Sequence, residues 1–270
     1  MSLIATLSLA ALDVLWEDLS LGTVPPYPFE VPSHGETYAE RARIRAAVHT
    51  DLDQRGLLTQ GLLAPRLVTA LHLLARPQLQ VDTVSALEIR GGSVVPSAML
   101  HAMAAARGRN AVLAAQDGLL IRLTEISDTA LAASLVGLLP ANHAGPGAPV
   151  SLPAHLVGAP LPNADGSDEH DGAAVVTRRT ASSASPEQRK ALAAMLEPPK
   201  LRVGQIGIGR VDEHGTSRRL PGIGWFDTAG GRYFTSVERG GDGQDWATVS
   251  PGDGTRMVYR LGEMIRAAAR

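Results

Sequence analysis

GWFDTAGGRYFTSV, residues 224–237, admits two incompatible readings. Its Asp-Thr-Ala-Gly-Gly core is close to the switch sequence with which small GTPases touch a γ-phosphate. A triphosphate site also needs a glycine-rich loop followed by Lys and Ser/Thr, whose amides and ammonium neutralise the phosphates. The chain has two lysines, Lys190 in SPEQRKAL and Lys200 in EPPKLRVG, and neither follows such a loop. Apolar and aromatic residues flank the core, and glycine supplies the positive φ of a tight turn. Residues 227–231 therefore read as the turn of a β-hairpin, and neither GTP nor ATP is expected to bind.

Working outward from that hairpin, the chain repeats itself. A helix with Leu67, Leu71 and Leu74 on one face stops at Pro77, and QLQVD then alternates apolar with polar. A helix holding Leu192 and Leu196 stops at Pro199, and KLRVGQ does likewise. Ser185, Pro186 and Gln188 supply a cap, a first-turn proline and a capping-box partner. Gly108-Arg109 before NAVLAAQ corresponds to Gly231-Arg232 before YFTSVER at nearly the same offset. Leu131, Leu135 and Leu138 then correspond to Met257, Leu261 and Met264. Each half reads as helix, about four antiparallel strands, helix. The turns fall at RGGS, RGRN and QDGL in the first half and at DEHG, TAGG and RGGDGQ in the second. SAMLHAMAAARG, alanine-rich enough for a helix, is assigned to a strand because the other half has one there.

The remaining segments are less regular. Leu9, Leu12, Trp16 and Leu19 fall at helical spacing behind Ser8 as N-cap, so MSLIATLSLAALDVLW reads as leading into an amphipathic helix behind Ser8 and not as a signal peptide. The first basic side chain is Arg41, and Asp13, Glu17 and Asp18 are acidic. GTVPPYPFEVPSHG, with four prolines, reads as an extended connection with an edge strand around Phe29 and Val31. A helix from about residue 36 to 55 carries Ile44, Val48 and Leu52 and ends at Gly56. Residues 141–184, rich in Pro, Gly, Ala and Asp, read as a surface linker.

Composition narrows the chemistry. The 270 residues suffice for a substantial core, and a net charge of −2 from 25 basic and 27 acidic residues favours neither nucleic acid nor a membrane surface. The TRR near 178 and SRR near 218 are too short and too poor in aromatics to suggest otherwise. Zero cysteines exclude disulfides, thiolate metal sites and a cysteine nucleophile. No run reaches the length of a membrane span, and a cytoplasmic protein is expected. The eight histidines form no His-Glu-x-x-His. SDEHDG around His170 reads as solvated linker, and His72 and His101 read as packing residues. No Gly-x-Ser-x-Gly elbow is present. GQIGIG at 204–209 lacks the dinucleotide order, and its glycines are expected to leave room for a helix crossing the sheet. No metal and no cofactor are expected.

LDVLWEDLSLGTVPPYPFEVPSHGETYAERARI, residues 12–44, with DQRGL after it and FDTAGGRYF far downstream, resembles the EspG family. These are cytosolic chaperones of actinobacterial type VII (ESX) secretion systems. The resemblance implies an α/β (α+β) fold with a central antiparallel β-sheet, flanking helical bundles and two quasi-twofold-related halves. It also implies a single EspG-like domain over 1–270, with halves at 1–140 and 185–270. A chaperone of this kind binds a PPE protein within a PE-PPE heterodimer, or another helical secreted substrate. It covers the hydrophobic tip until export and has no catalytic centre.

Covering an apolar tip takes a sheet face or groove with a few aromatic and aliphatic anchors. The loop RGGSVVP, residues 90–96, stands at a position resembling a partner-contacting strand loop of the family, which makes Arg90, Val94 and Val95 candidates. Trp225, Phe226, Phe234 and Trp246 are further candidates that also suit a plain sheet core. The state expected is monomer or homodimer. A small-molecule enzyme with a site assembled from distant residues, or a structural homodimer, are the competing readings.

Overall fold

The computed structural model describes residues 1–154, 185–211, 216–241 and 243–267. SDEHDG, the DEHG turn and the basic pair near 178 lie outside them. Among the described residues ten strands form one antiparallel sheet in the order β1-β9-β8-β7-β4-β11-β12-β13-β14-β10. In chain order these are β1 (Ser2–Ser8), β4 (Leu79–Ala86), β7 (Met99–Arg107), β8 (Asn110–Asp117), β9 (Leu120–Ile126), β10 (Val150–Pro153), β11 (Arg202–Val211), β12 (Ser217–Thr228), β13 (Gly231–Arg239) and β14 (Asp245–Pro251). Two ribbons stand apart from that sheet, β2 (Leu58–Thr59) with β3 (Leu62–Leu63), and β5 (Ile89–Arg90) with β6 (Ser93–Val94). The helices are α1 (Leu9–Asp18), α2 (Tyr38–Gln54), α3 (Pro65–Ala75), α4 (Leu131–Val136), α5 (Pro186–Leu196) and α6 (Gly254–Ala267).

The strand order is a palindrome of the repeat. Outward from β4 run β7, β8, β9 and β1; outward from β11 run β12, β13, β14 and β10. Helix α3 leads into β4 as α5 leads into β11, and α4 follows β9 as α6 follows β14. The alanine-rich segment is the strand β7, with Ala102, Ala104 and Ala105 fully buried.

The chain divides into two compact units and crosses between them repeatedly. One comprises Met1–Asp82, Leu100–Leu135 and Arg210–Ser217; the other comprises Thr83–Met99, Val136–Gly209 and Arg218–Arg270. In the first, the leucines of α3 join Leu12, Leu15 and Trp16 of α1, Val48 and Leu52 of α2 and alternate residues of β1, β7, β8 and β9 in one core. Helix α2 opens with a capping box between Thr37 and Glu40, a device that stabilises a helix by about 1 kcal/mol. Its polar face is tied to α1 by Arg41 to Asp13 and Glu17, Arg45 to Glu17 and Asp18, and His49 to Asp18. The hydrogen bonds from Arg41 and Arg45 hold the Glu17 carboxyl below its ordinary range, and Asp13 in turn raises the Arg41 guanidinium.

In the second unit, Val150, Leu152, Phe226, Tyr233, Ala247 and Val249 gather with Met195 of α5 on one sheet face. Ser236 and Glu238 lie on the alternate face, where Arg260 of α6 reaches both.

Three expectations need correction and one is extended. The N-terminal helix begins at Leu9 behind its Ser8 cap, as read, with Ser8 accepting from Ala11 N at 3.1 Å, while residues 2–8, left unassigned by that reading, are an edge strand paired with β9. Around Phe29 and Val31 there is no strand, because Phe29 is drawn into the core of α1–α3. Of the segment read as linker, Val150–Pro153 forms an edge strand on β14, alternating Val150 and Leu152 inward. The glycines of β11 make room for side chains and not a crossing helix. A Cβ on Gly204 would strike Ser85 and Trp225, and one on Gly207 would strike the Arg219 guanidinium.

Candidate partner-binding surface

The residues RGGS turn the β5–β6 ribbon. Gly91 and Gly92 have φ of 57° and 83°, and two successive positive φ values define the two-residue hairpin turn that glycine accommodates without strain. Ile89 lies opposite Val94, and Arg90 opposite Ser93. The turn residues are exposed and Val94 and Val95 are half-buried. Arg90 projects a side chain that is 75% exposed and pairs with Glu88 at 2.6 Å. The tip thus presents one cation, two glycines and two partly open valines.

The base of this ribbon is pinned. Leu87 N donates to Ala98 O at 2.8 Å, Val95 N to Glu88 O at 3.1 Å, and Ile89 N to Leu201 O at 2.9 Å. Arg202 Nε donates to Leu87 O at 3.2 Å while its Nη1 reaches Asp227 Oδ2 at 3.1 Å. Leu201 N donates to Asp227 O at 2.8 Å. The candidate loop is therefore anchored through neighbouring residues of β11 onto the β12–β13 hairpin.

That hairpin turns at Ala229-Gly230, with Thr228 paired to Gly231. Thr228 supplies the turn's side-chain bonds, accepting from Gly230 N at 3.1 Å and donating to Gly231 O at 3.3 Å. Asp227, read from the sequence as a turn residue, has another role. It lies opposite Arg232 and is fully buried. Arg232 Nε and Nη2 donate to its two oxygens at 2.7 and 2.9 Å, and Nη2 also donates to Pro140 O at 2.7 Å. The same guanidinium stands 4.6 Å from the centre of the Trp225 ring. A buried carboxylate needs this density of charge-assisted bonds, because desolvation is otherwise prohibitive. The hint available in the sequence was the spacing: residues five apart around a two-residue turn lie opposite each other.

The four candidate aromatics do not form one surface. Register puts Trp225 opposite Phe234, and Trp246 opposite Glu238 on the same face. Phe226 is opposite Tyr233 on the other face, their rings stacked at 5.3 Å. Trp225, Phe226 and Phe234 retain only 2%, 7% and 8% of their exposure, whereas Trp246 is half-buried. Lys200 caps this arrangement, its Nζ 4.6 Å from the Phe226 centroid and bonded to the carbonyls of Leu196 and Pro198 at the end of α5. Burial lowers the Lys200 pKa, and burial raises that of Tyr233.

His72, expected to pack, is exposed on α3, and His101 is half-buried. Among the described residues no group of three or more His, Asp or Glu side chains is placed to hold a metal ion. No helix among them is long and apolar enough to cross a membrane.

A model of the EspG family matches residues 8–263. No curated protein matches the chain. The fold is similar to that of a chaperone of the Mycobacterium tuberculosis type VII secretion system, EspG5, solved in complex with a PE25-PPE41 dimer. The TM-score is 0.65 at 13% sequence identity, over 97% of this chain and 95% of that one.

Proposed function

Because the chain belongs to the EspG family, we propose that it is a cytoplasmic chaperone of a type VII secretion system, working by binding and not by catalysis. Its client is the PPE-type protein of a PE-PPE pair, a helical substrate kept soluble before export. The observation that carries this reading is the family match across almost the whole chain, joined to a fold shared with a chaperone solved on such a dimer. The chain acts as one EspG-like domain, a reading supported by its repeated passage between the two units.

The β5–β6 ribbon is the proposed contact. An aggregation-prone helical tip is covered when its apolar side chains meet a small apolar patch with a polar rim. Val94 and Val95 supply the patch and Arg90 the rim. Trp246 extends the candidate surface, while Trp225, Phe226 and Phe234 act from inside the sheet by fixing the strands. Co-expression with the PE-PPE pair encoded in the same genome tests this. A stoichiometric complex that survives size-exclusion chromatography supports the reading, and a client equally soluble with and without the chain overturns it.

A further inference from the structure

The unit containing α1–α3 carries a second surface with a chemistry of its own. A cleft of about 350 Å³ lies between α3 and the β7–β8 turn. Val68 and Leu73 give it an apolar lining, and Thr69, His72, Arg107 and Asn110 complete it. Gln78 N donates to Ala106 O at 2.9 Å, and its side chain accepts from Gly108 N at 3.2 Å. These bonds hold the end of α3, with Arg76, beside the turn that carries Arg107 and Arg109.

The three guanidiniums are exposed, and none has an ion-pair or hydrogen-bond partner among the described residues. Residues 54–81 and 89–116, which build the cleft, contain no Asp or Glu, and the acidic pair Asp212–Glu213, which follows Val211 where its N–H donates to Gln78 O at 3.0 Å, lies outside the described residues. Elsewhere in this unit Arg66 pairs with Glu125 and Arg55 with Asp51.

We propose that this cleft docks an acidic peptide segment carrying an aliphatic side chain. The carbon lining accepts the side chain, and the guanidinium rim accepts carboxylates in the forked geometry that arginine favours. A single-stranded nucleic acid satisfies the rim equally well, but it binds through aromatic platforms, and the cleft is lined by none. The surface shares no residue with the β5–β6 ribbon, so the proposal stands apart from the client reading.

Fluorescence anisotropy with a short labelled peptide of leucine and glutamate tests it, alongside a leucine–lysine peptide and a single-stranded oligonucleotide. The acidic peptide should bind the native protein. The variant Arg76→Gln/Arg107→Gln/Arg109→Gln should weaken it by about tenfold or more, and Val68→Asp should weaken it with the rim intact. Val94→Asp/Val95→Asp should leave it unchanged. Absence of binding, equal binding of the lysine peptide, tighter binding of the oligonucleotide, or undiminished binding by the folded triple variant would each overturn the proposal. Circular dichroism of each variant establishes that it is folded.

Discussion

Arg202 joins Asp227 at 3.1 Å and with the same guanidinium holds Leu87 O, so a carboxylate buried in the β12–β13 hairpin is coupled to the base of the β5–β6 ribbon. Replacing Arg202 with Met should free the ribbon while sparing the Asp227–Arg232 pair. The expected result is faster amide exchange at Ile89 and Val95 and weaker client binding, with a melting temperature close to native. Unchanged exchange at both amides would show that the ribbon is held by its backbone bonds alone.

Asp227→Ala tests the core of that cluster. Removing one partner of a buried ion pair leaves the other charge uncompensated, and such changes typically cost about 3–5 kcal/mol. Arg232 is 1% exposed and would keep the Pro140 carbonyl as an acceptor but no carboxylate at position 227. Urea unfolding should show a loss of that order; a loss below about 1 kcal/mol would place Asp227 back among ordinary turn residues, whose substitutions rarely cost more.

The α1–α2 ion network predicts an acid-labile limb. The folded pKa of Glu17 is lowered, first by its hydrogen bond from Arg41 and then by that from Arg45. Between the folded and the unfolded pKa the unfolded chain binds more protons, so stability rises with pH there and is lost as pH falls through the folded value. Below the ordinary value of 4.5 the native protein should lose thermal stability more steeply than Glu17→Gln. Parallel melting curves for the two across that range would contradict the role of Glu17.

Edge pairing of the large sheet is opposed at β1, whose register shifts between Leu3 and Ala5 and whose Thr6 carbonyl accepts from Arg55. A bulge and a covering cation are devices that keep an edge from recruiting another strand. Arg55→Ala should therefore raise self-association in sedimentation velocity. Identical behaviour of the variant and the native protein would mean that this edge is closed by other means.

Much of this architecture was legible because the helices carry their own punctuation. Ser185, Pro186 and Gln188 announced α5, and the leucines of α3 spaced themselves before Pro77. Strand β7 was legible only by analogy, since Ala104, Ala105 and Ala106 carry no β preference and are a strand because β4 and β8 enclose them. Strand β1 was hidden because seven residues abut a helix and share its apolar character. Of the candidate site, the ribbon could be read from its glycines. The clamp beneath it could not, since Leu87, Arg202 and Asp227 meet only through tertiary pairing. That Trp225 and Phe226, adjacent in one strand, serve opposite faces followed from strand alternation, whereas the coverage that buries both did not.

The central claim is that this chain covers an apolar client surface with Val94 and Val95. Truncating a central anchor typically costs about 2 kcal/mol or more, and aspartate adds a charge that must be desolvated. The decisive measurement is calorimetric affinity for the co-purified PE-PPE pair, native protein against Val94→Asp/Val95→Asp, with both melting curves recorded. The account predicts a loss of about thirtyfold or more in a variant that melts like the native protein. Native affinity in the folded double variant would contradict it and remove the ribbon from the binding surface.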